Sequence, residues 1–130
     1  MLYVFPIVIP ANTTQAAPLK TSLQLTAGTI THVMLQFPPG PLGLAHLYIR
    51  NGLNQVWPAN PEAQFQSDDE TIPWAEEYEI DSPPYRLDAY GWNADDTYPH
   101  TITARIELTP ANVQASLTDQ IKSLLGIGGA

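Results

Sequence analysis

The sequence predicts an all-β domain, an antiparallel β-sandwich or jelly roll of about eight strands, followed by one short C-terminal amphipathic helix. Three observations carry that expectation. Short runs of alternating apolar and polar residues recur along most of the chain, separated by clusters of Pro, Gly and Asn. Asn51-Gly52 lies between two such runs and is a preferred pair for a two-residue hairpin turn. After Thr109 the apolar period changes from that of a strand to that of a helix.

Residues 2–9 read as a first strand, with Pro6 at an edge or a bulge. Asn12 to Pro18 is a polar loop. Leu19, Leu23 and Leu25 then share one face, and Lys20, Ser22 and Gln24 the other. Ala27-Gly28 turns the chain into a strand over 29–37, which Pro38-Pro39-Gly40-Pro41 stops. A strand over 44–50 turns Ala45, Leu47 and Ile49 inward, and the Asn51-Gly52 turn leads to its partner over 53–57. Residues 58–75 are polar and acidic and read as a loop, with a short edge strand near Thr71 as the alternative. Strands over 76–80, 85–92 and 100–108 complete the set. The inward faces predict a core of Val33, Leu35, Phe37, Leu47, Ile49, Leu87, Ile102 and Ile106, since a slip of one residue would expose the whole set.

Thr109-Pro110 offers an N-cap hydroxyl and a Pro suited to the first helical position. Val113, Leu117, Ile121, Leu124 and Leu125 follow at helical spacing, and Gly126 and Gly128 end the run. The predicted organisation is a sandwich over 1–109, a docking helix over 110–125 and a flexible tail over 126–130. An isolated helix of ~16 residues is marginal in water, so this one needs a surface to pack on.

The chain of 130 residues fits one domain, and its lack of cysteine removes disulfides, thiolate metal sites and a cysteine nucleophile. Net charge is −8, and 11 of the 13 acidic residues fall between Glu62 and Asp96, where Arg86 is the only Lys or Arg. Phosphate backbones and anionic membranes call for clustered cations, so neither nucleic acid nor a membrane surface is an expected partner. The apolar start, Met1 to Pro10, lacks a basic flank and contains Pro6, which argues against a signal peptide. It is also far short of the ~20 residues that cross a bilayer. Synthesis in a cytoplasm without export is the expectation.

No nucleophile elbow, metal-binding His pair or phosphate loop occurs, so no enzyme and no cofactor are expected. Pairing the strand 29–37 with 44–50 sets Leu35 opposite Leu47 and separates His32 from His46 by ~13 Å, too far to share a metal. The runs Asp68-Asp69-Glu70 and Asn93-Ala94-Asp95-Asp96 could give calcium hard oxygen ligands at Asp68, Asp69, Asp95 or Asp96. Consecutive acids in loops are, equally, solvated turn formers. Pairing across the hairpin places Met34, His46, Tyr48, Leu53 and Trp57 together on one sheet surface, too apolar to meet only water. Three readings of it stand open: cover by the C-terminal helix, an interface with another subunit, or an aromatic platform for sugars. Tyr85, Tyr90, Trp92 and Tyr98 form a second aromatic set near the acidic loops, with Tyr90 and Trp92 on the face of Arg86 and Asp88.

A Met-initiated first strand over Tyr3–Ile9, loops such as Phe37-Pro38-Pro39-Gly40, no Cys and few Lys give a pattern similar to the small β-sandwich structural proteins of virions. It resembles, at the level of class, the capsid decoration and fibre-type proteins of tailed phages. That resemblance implies a non-enzymatic virion component, made in a host cytoplasm, that acts as a homo-oligomer or on a capsid protein. Its interface would use Met34, His46, Tyr48, Trp57, Val113, Leu117, Ile121 and Leu124. The alternative function is a lectin-like carbohydrate-binding module.

Overall fold

The structure, a computed structural model, describes residues 1–126, with residues 113–116 as backbone only. Nine strands precede one helix: β1 (Leu2–Ile9), β2 (Leu19–Gln24), β3 (Gly28–Phe37), β4 (Ala45–Asn51), β5 (Asn54–Trp57), β6 (Phe65–Gln66), β7 (Glu70–Ile80), β8 (Arg86–Asn93), β9 (His100–Pro110) and α1 (Ala111–Leu125).

The pairing is nested. β1 pairs with β9, β2 with β8, β3 with β7 and β4 with β5, all antiparallel. Each pair encloses the next, so the chain is one long hairpin with its tip at Gly52-Leu53. Rolling that hairpin adds the ladders β3–β9 and β4–β8. The first sheet then has the order β1-β9-β3-β7, and the second β2-β8-β4-β5, with β6 also on β4. Without the two-residue β6 this is the eight-strand order of a jelly roll.

The two sheets bury their inward faces against each other. Ile7, Ile9, Ile30, Val33, Leu35, Phe37, Ile102, Ile106 and Leu108 of the first sheet meet Leu23, Ala45, Leu47, Ile49, Leu87 and Ala89 of the second. All eight core residues predicted from alternation are at most 1% exposed. Gly91 lets Ile9 of the first sheet approach the second closely, because a Cβ there would lie 2.5 Å from the Ile9 side chain.

Four sequence expectations are corrected. β3 does not pair with β4: the chain crosses from one sheet to the other between them, so Leu35 lies beside Ala104 and Ile72, and Leu47 beside Gly91 and Phe65. The segment 58–75, expected as loop with a short edge strand near Thr71, holds the two-residue β6 and, from Glu70 onward, the start of an 11-residue edge strand, β7, which runs on through the strand expected over 76–80. Ile72, Trp74, Tyr78 and Ile80 keep a period of two through it, and its edge position tolerates Pro73. The hairpin turn is Gly52-Leu53, one residue later than expected, with Asn51 paired to Asn54 and Gly52 at a φ of 61°. A bulge then sets Trp57 opposite Ile49, which turns the indole inward. Finally, Pro110 rather than Thr109 caps α1, with no side-chain hydrogen bond. Thr109 is still in the β9 ladder, opposite Thr29.

The sheet-to-helix junction depends on Gly28. A Cβ there would sit 2.3 Å from the Thr109 carbonyl oxygen, so only glycine lets β3 and β9 close at this end. The Ala111 amide donates to the Ala27 carbonyl at 2.9 Å, and α1 leaves the sandwich from that point. Gly126 ends α1 in the left-handed conformation, with a φ of 68°. The expected tail beyond it, residues 127–130, lies outside the described residues.

Truncating Leu47 or Ile106 to Ala should cost ~2–5 kcal/mol in chemical denaturation, because both side chains are fully enclosed. Losses below ~0.5 kcal/mol at both, the level of ordinary surface changes, would contradict this core.

Candidate interaction surfaces

Strand alternation fixes what the second sheet shows to the outside. The outward positions are Lys20, Ser22 and Gln24 on β2, Arg86, Asp88, Tyr90 and Trp92 on β8, and His46, Tyr48 and Arg50 on β4, although neighbouring side chains cover Tyr48 and Asp88 to 8% and 6% exposure. Register places His46 opposite Trp92, Tyr48 opposite Tyr90 and Arg50 opposite Asp88. The first two pairs stack. The His46 and Trp92 rings are 3.7 Å apart and within 6° of parallel, and the tyrosines 5.4 Å apart and within 8°. The Trp92 indole N–H donates to Gln64 at 2.8 Å, which ties the loop before β6 to this face. Burial, which favours the uncharged ring, pushes the His46 imidazole below its ordinary pKa, against the opposing effect of a hydrogen bond donated to Gln64.

Arg50 ends the row. Its guanidinium carbon lies 5.2 Å from the Tyr48 ring centre and 5.1 Å from that of Tyr90, a cation–π arrangement. Asp88, its neighbour across the ladder, is engaged elsewhere: Lys20 at 3.9 Å, Arg86 at 3.7 Å and the Ser22 hydroxyl at 3.4 Å. Among the described residues, Arg50 Nε is buried with no hydrogen-bond partner. At the other end of the row a cavity of about 370 Å³ opens between Trp92 and the Asn12–Gln15 loop.

A second surface is apolar. Leu117, Ile121, Leu124 and Leu125 of α1 are 51%, 59%, 89% and 64% exposed, although they are the residues that should seek cover. Val113 belongs to the same stripe in sequence, but its side chain lies outside the described residues. A flatter apolar strip runs along β1, an edge strand of the first sheet, where Leu2, Val4 and Val8 are each more than half exposed. Register continues the Val4 row through Arg105 to Met34 and Pro73.

The single aromatic surface expected from the sequence is therefore divided. His46 and Tyr48 lie on the outside of the second sheet, and Met34 lies on the outside of the first. Trp57, only 4% exposed, is part of the core. There it meets Trp74 and Tyr78 edge-on and donates to Glu76 at 2.7 Å. Leu53 is isolated at the hairpin tip, 95% exposed. Sequence reasoning placed Tyr90, Trp92, Arg86 and Asp88 on one face, but it did not join them to His46, Tyr48 and Arg50. The β4–β8 pairing that does so links residues some forty positions apart, and no local signal announces it.

The acidic loops are organised by backbone amides. Asp68 Oδ1 accepts from the amides of Gly40 and Leu42 at 2.9 and 3.0 Å, which holds the Pro-rich loop, and Asp69 sits at a φ of 48°. Asp95 Oδ1 accepts from the amides of Thr97 and Tyr98, its Oδ2 lies 2.8 Å from His100 Nε2, and Asp96 accepts from the Thr97 hydroxyl. Among the described residues, no three His, Cys, Asp or Glu side chains gather as a metal site would require. Thermal melts in excess calcium and in chelator should therefore share one midpoint; a calcium-dependent rise would assign Asp68, Asp69, Asp95 or Asp96 to a cation.

The Thr97 amide, the His100 side chain and the Tyr98 amide hold the Asp95 carboxyl below its usual pKa of 3.8. A depressed carboxyl lends stability that is fully present above the unfolded value and is lost as pH falls through the folded one. Asp95→Asn should thus lower the melting temperature at neutral pH and flatten the fall in stability below a pH of about 4. An unchanged acid profile would show that this turn does not depend on the charge.

No protein-family model matches this chain, and no curated protein matches it significantly. No helix among the described residues is long and apolar enough to cross a membrane.

Proposed function

We propose that this protein is a non-enzymatic structural subunit of a larger assembly, of the virion decoration or fibre type, which joins its neighbours through α1. The observation that carries the reading is the exposure of Leu117, Ile121, Leu124 and Leu125 on a helix whose first residue, Ala111, is tied by its amide to the Ala27 carbonyl. A helix of 15 residues is marginal alone, so burial of this stripe is what would stabilise it. A second copy supplies a fitting surface in the strip of Leu2, Val4 and Val8, continued by Met34 on the outside of the first sheet. Helix onto sheet is a head-to-tail contact, which closes into a ring or continues as a fibre. The fold agrees, since jelly rolls build viral capsid and lectin domains, although a fold alone does not choose between them.

A carbohydrate-binding role is a second reading, favoured by the cavity walled by Trp92, whose indole stacks on His46. Lectin-type recognition and virion assembly are compatible on one jelly roll, because the two surfaces lie on different sheets.

Replacing Leu117 and Leu124 together by Glu should reduce the assembled mass to that of one chain while the sheet circular dichroism is unchanged. An unchanged mass in the folded variant would remove α1 as the joint. Unfolding of the variant would instead show that the helix completes its own core.

A further inference from the structure

We propose that the outer face of the second sheet binds a carboxylate-bearing saccharide, with sugar rings against Trp92 and Tyr90 and the carboxylate on Arg50. The inference rests on the carbohydrate-binding reading and narrows it to acidic sugars.

Charge is the first argument. The chain carries only five Lys and Arg against 13 Asp and Glu, yet Lys20, Arg50 and Arg86 all stand on this one face. The outward positions of β2, β4 and β8 set a single carboxylate, Asp88, against these three cations. Glu79 and Asp81 line a cavity with Arg86 at the margin of this face, so the positive surplus beside the stacked rings is that of Arg50. Three cations are too few for a nucleic-acid backbone, which asks for a phosphate contact at every step of the strand.

Arg50 is the second argument. The two tyrosine rings hold its guanidinium, and Asp88 is occupied by Lys20 and Arg86. No hydrogen bond or ion pair reaches Arg50 among the described residues, and its Nε is buried. A guanidinium kept in place without an anion is a fork ready for a carboxylate, which it can grip through two parallel hydrogen bonds. The stacking also removes most of the freedom that a surface arginine would lose on binding.

The rest of the face suits a sugar. His46 covers one side of the Trp92 indole, and Trp92 is also a wall of the 370 Å³ cavity. An aromatic ring accepts the C–H face of a pyranose, and the Thr14 and Gln15 side chains on the opposite wall make no hydrogen bond among the described residues. They are free for hydroxyl groups. Trp92 and the Arg50–Asp88 level are four residues apart along β8, or ~13 Å, the reach of a short oligosaccharide.

The test is calorimetric titration of the intact chain with trigalacturonate, sialyllactose and lactose at low salt and neutral pH. At least one acidic sugar should bind about tenfold or more tightly than lactose, and added salt should weaken it. The arm that binds identifies a uronate or a sialate. Arg50→Gln should erase the preference for acid, and the exposed Lys20→Gln should weaken acidic binding by a smaller factor while remaining folded. If Arg50→Gln does not fold, the Lys20 variant and the salt dependence decide. Equal binding of lactose and the acidic sugars would overturn the Arg50 assignment but leave the carbohydrate reading standing. Absence of binding by all three sugars would overturn both.

Discussion

Nested antiparallel pairing is the constraint on which the rest of this molecule depends. β4–β5 is the innermost pair, β3–β7, β2–β8 and β1–β9 enclose it in turn, and the rolled hairpin leaves two sheets with apolar inner faces. Those faces can be buried only against each other. Where Ile9 lies over Gly91, a methyl group could be added only if the Ile9 side chain moved. Burial of this kind contributes roughly 25 cal/mol per Å² of apolar surface, which makes the sandwich the dominant source of stability.

What remains outside follows from the same arithmetic of alternation. Every strand that gives an Ile or Leu to the core gives its other face to solvent, so the composition of the two outer surfaces records what the protein meets. The second sheet shows rings and cations in an otherwise acidic chain. The first shows aliphatic side chains on an edge strand that has no outer partner among the described residues, although Pro6 limits how another strand could add to it. The helix begins where Gly28 lets β3 and β9 close, and it carries its apolar stripe away from both.

Core membership was legible because it depends only on period. Val33, Leu35, Leu47 and Ile106 could be assigned an inward side without knowing which strands were neighbours. Neighbourhood was not legible. The jelly roll separates β3 from β4 although they are consecutive, and it joins β4 to β8 across the whole acidic segment. The surface built from adjacent strands was thus divided when Met34 went to one sheet and Tyr48 to the other. Trp57 was misplaced for a local reason, a bulge that shifts the face of every residue after it. β7 was read only in part: its second half was expected over 76–80 and an edge strand near Thr71, but Pro73 and the polar run before it hid that the two are one strand from Glu70 to Ile80. The unpartnered state of Arg50 was beyond sequence, since it depends on Asp88 being taken by two other cations.

The central claim is that the exposed stripe of α1 is an assembly surface rather than an ornament of a monomer. Its most direct test is the mass of the intact chain by light scattering across a wide range of protein concentration. The account predicts a defined or growing multiple of the 14.3 kDa chain mass, which falls toward a single chain only on dilution. A mass of one chain at every concentration would contradict it.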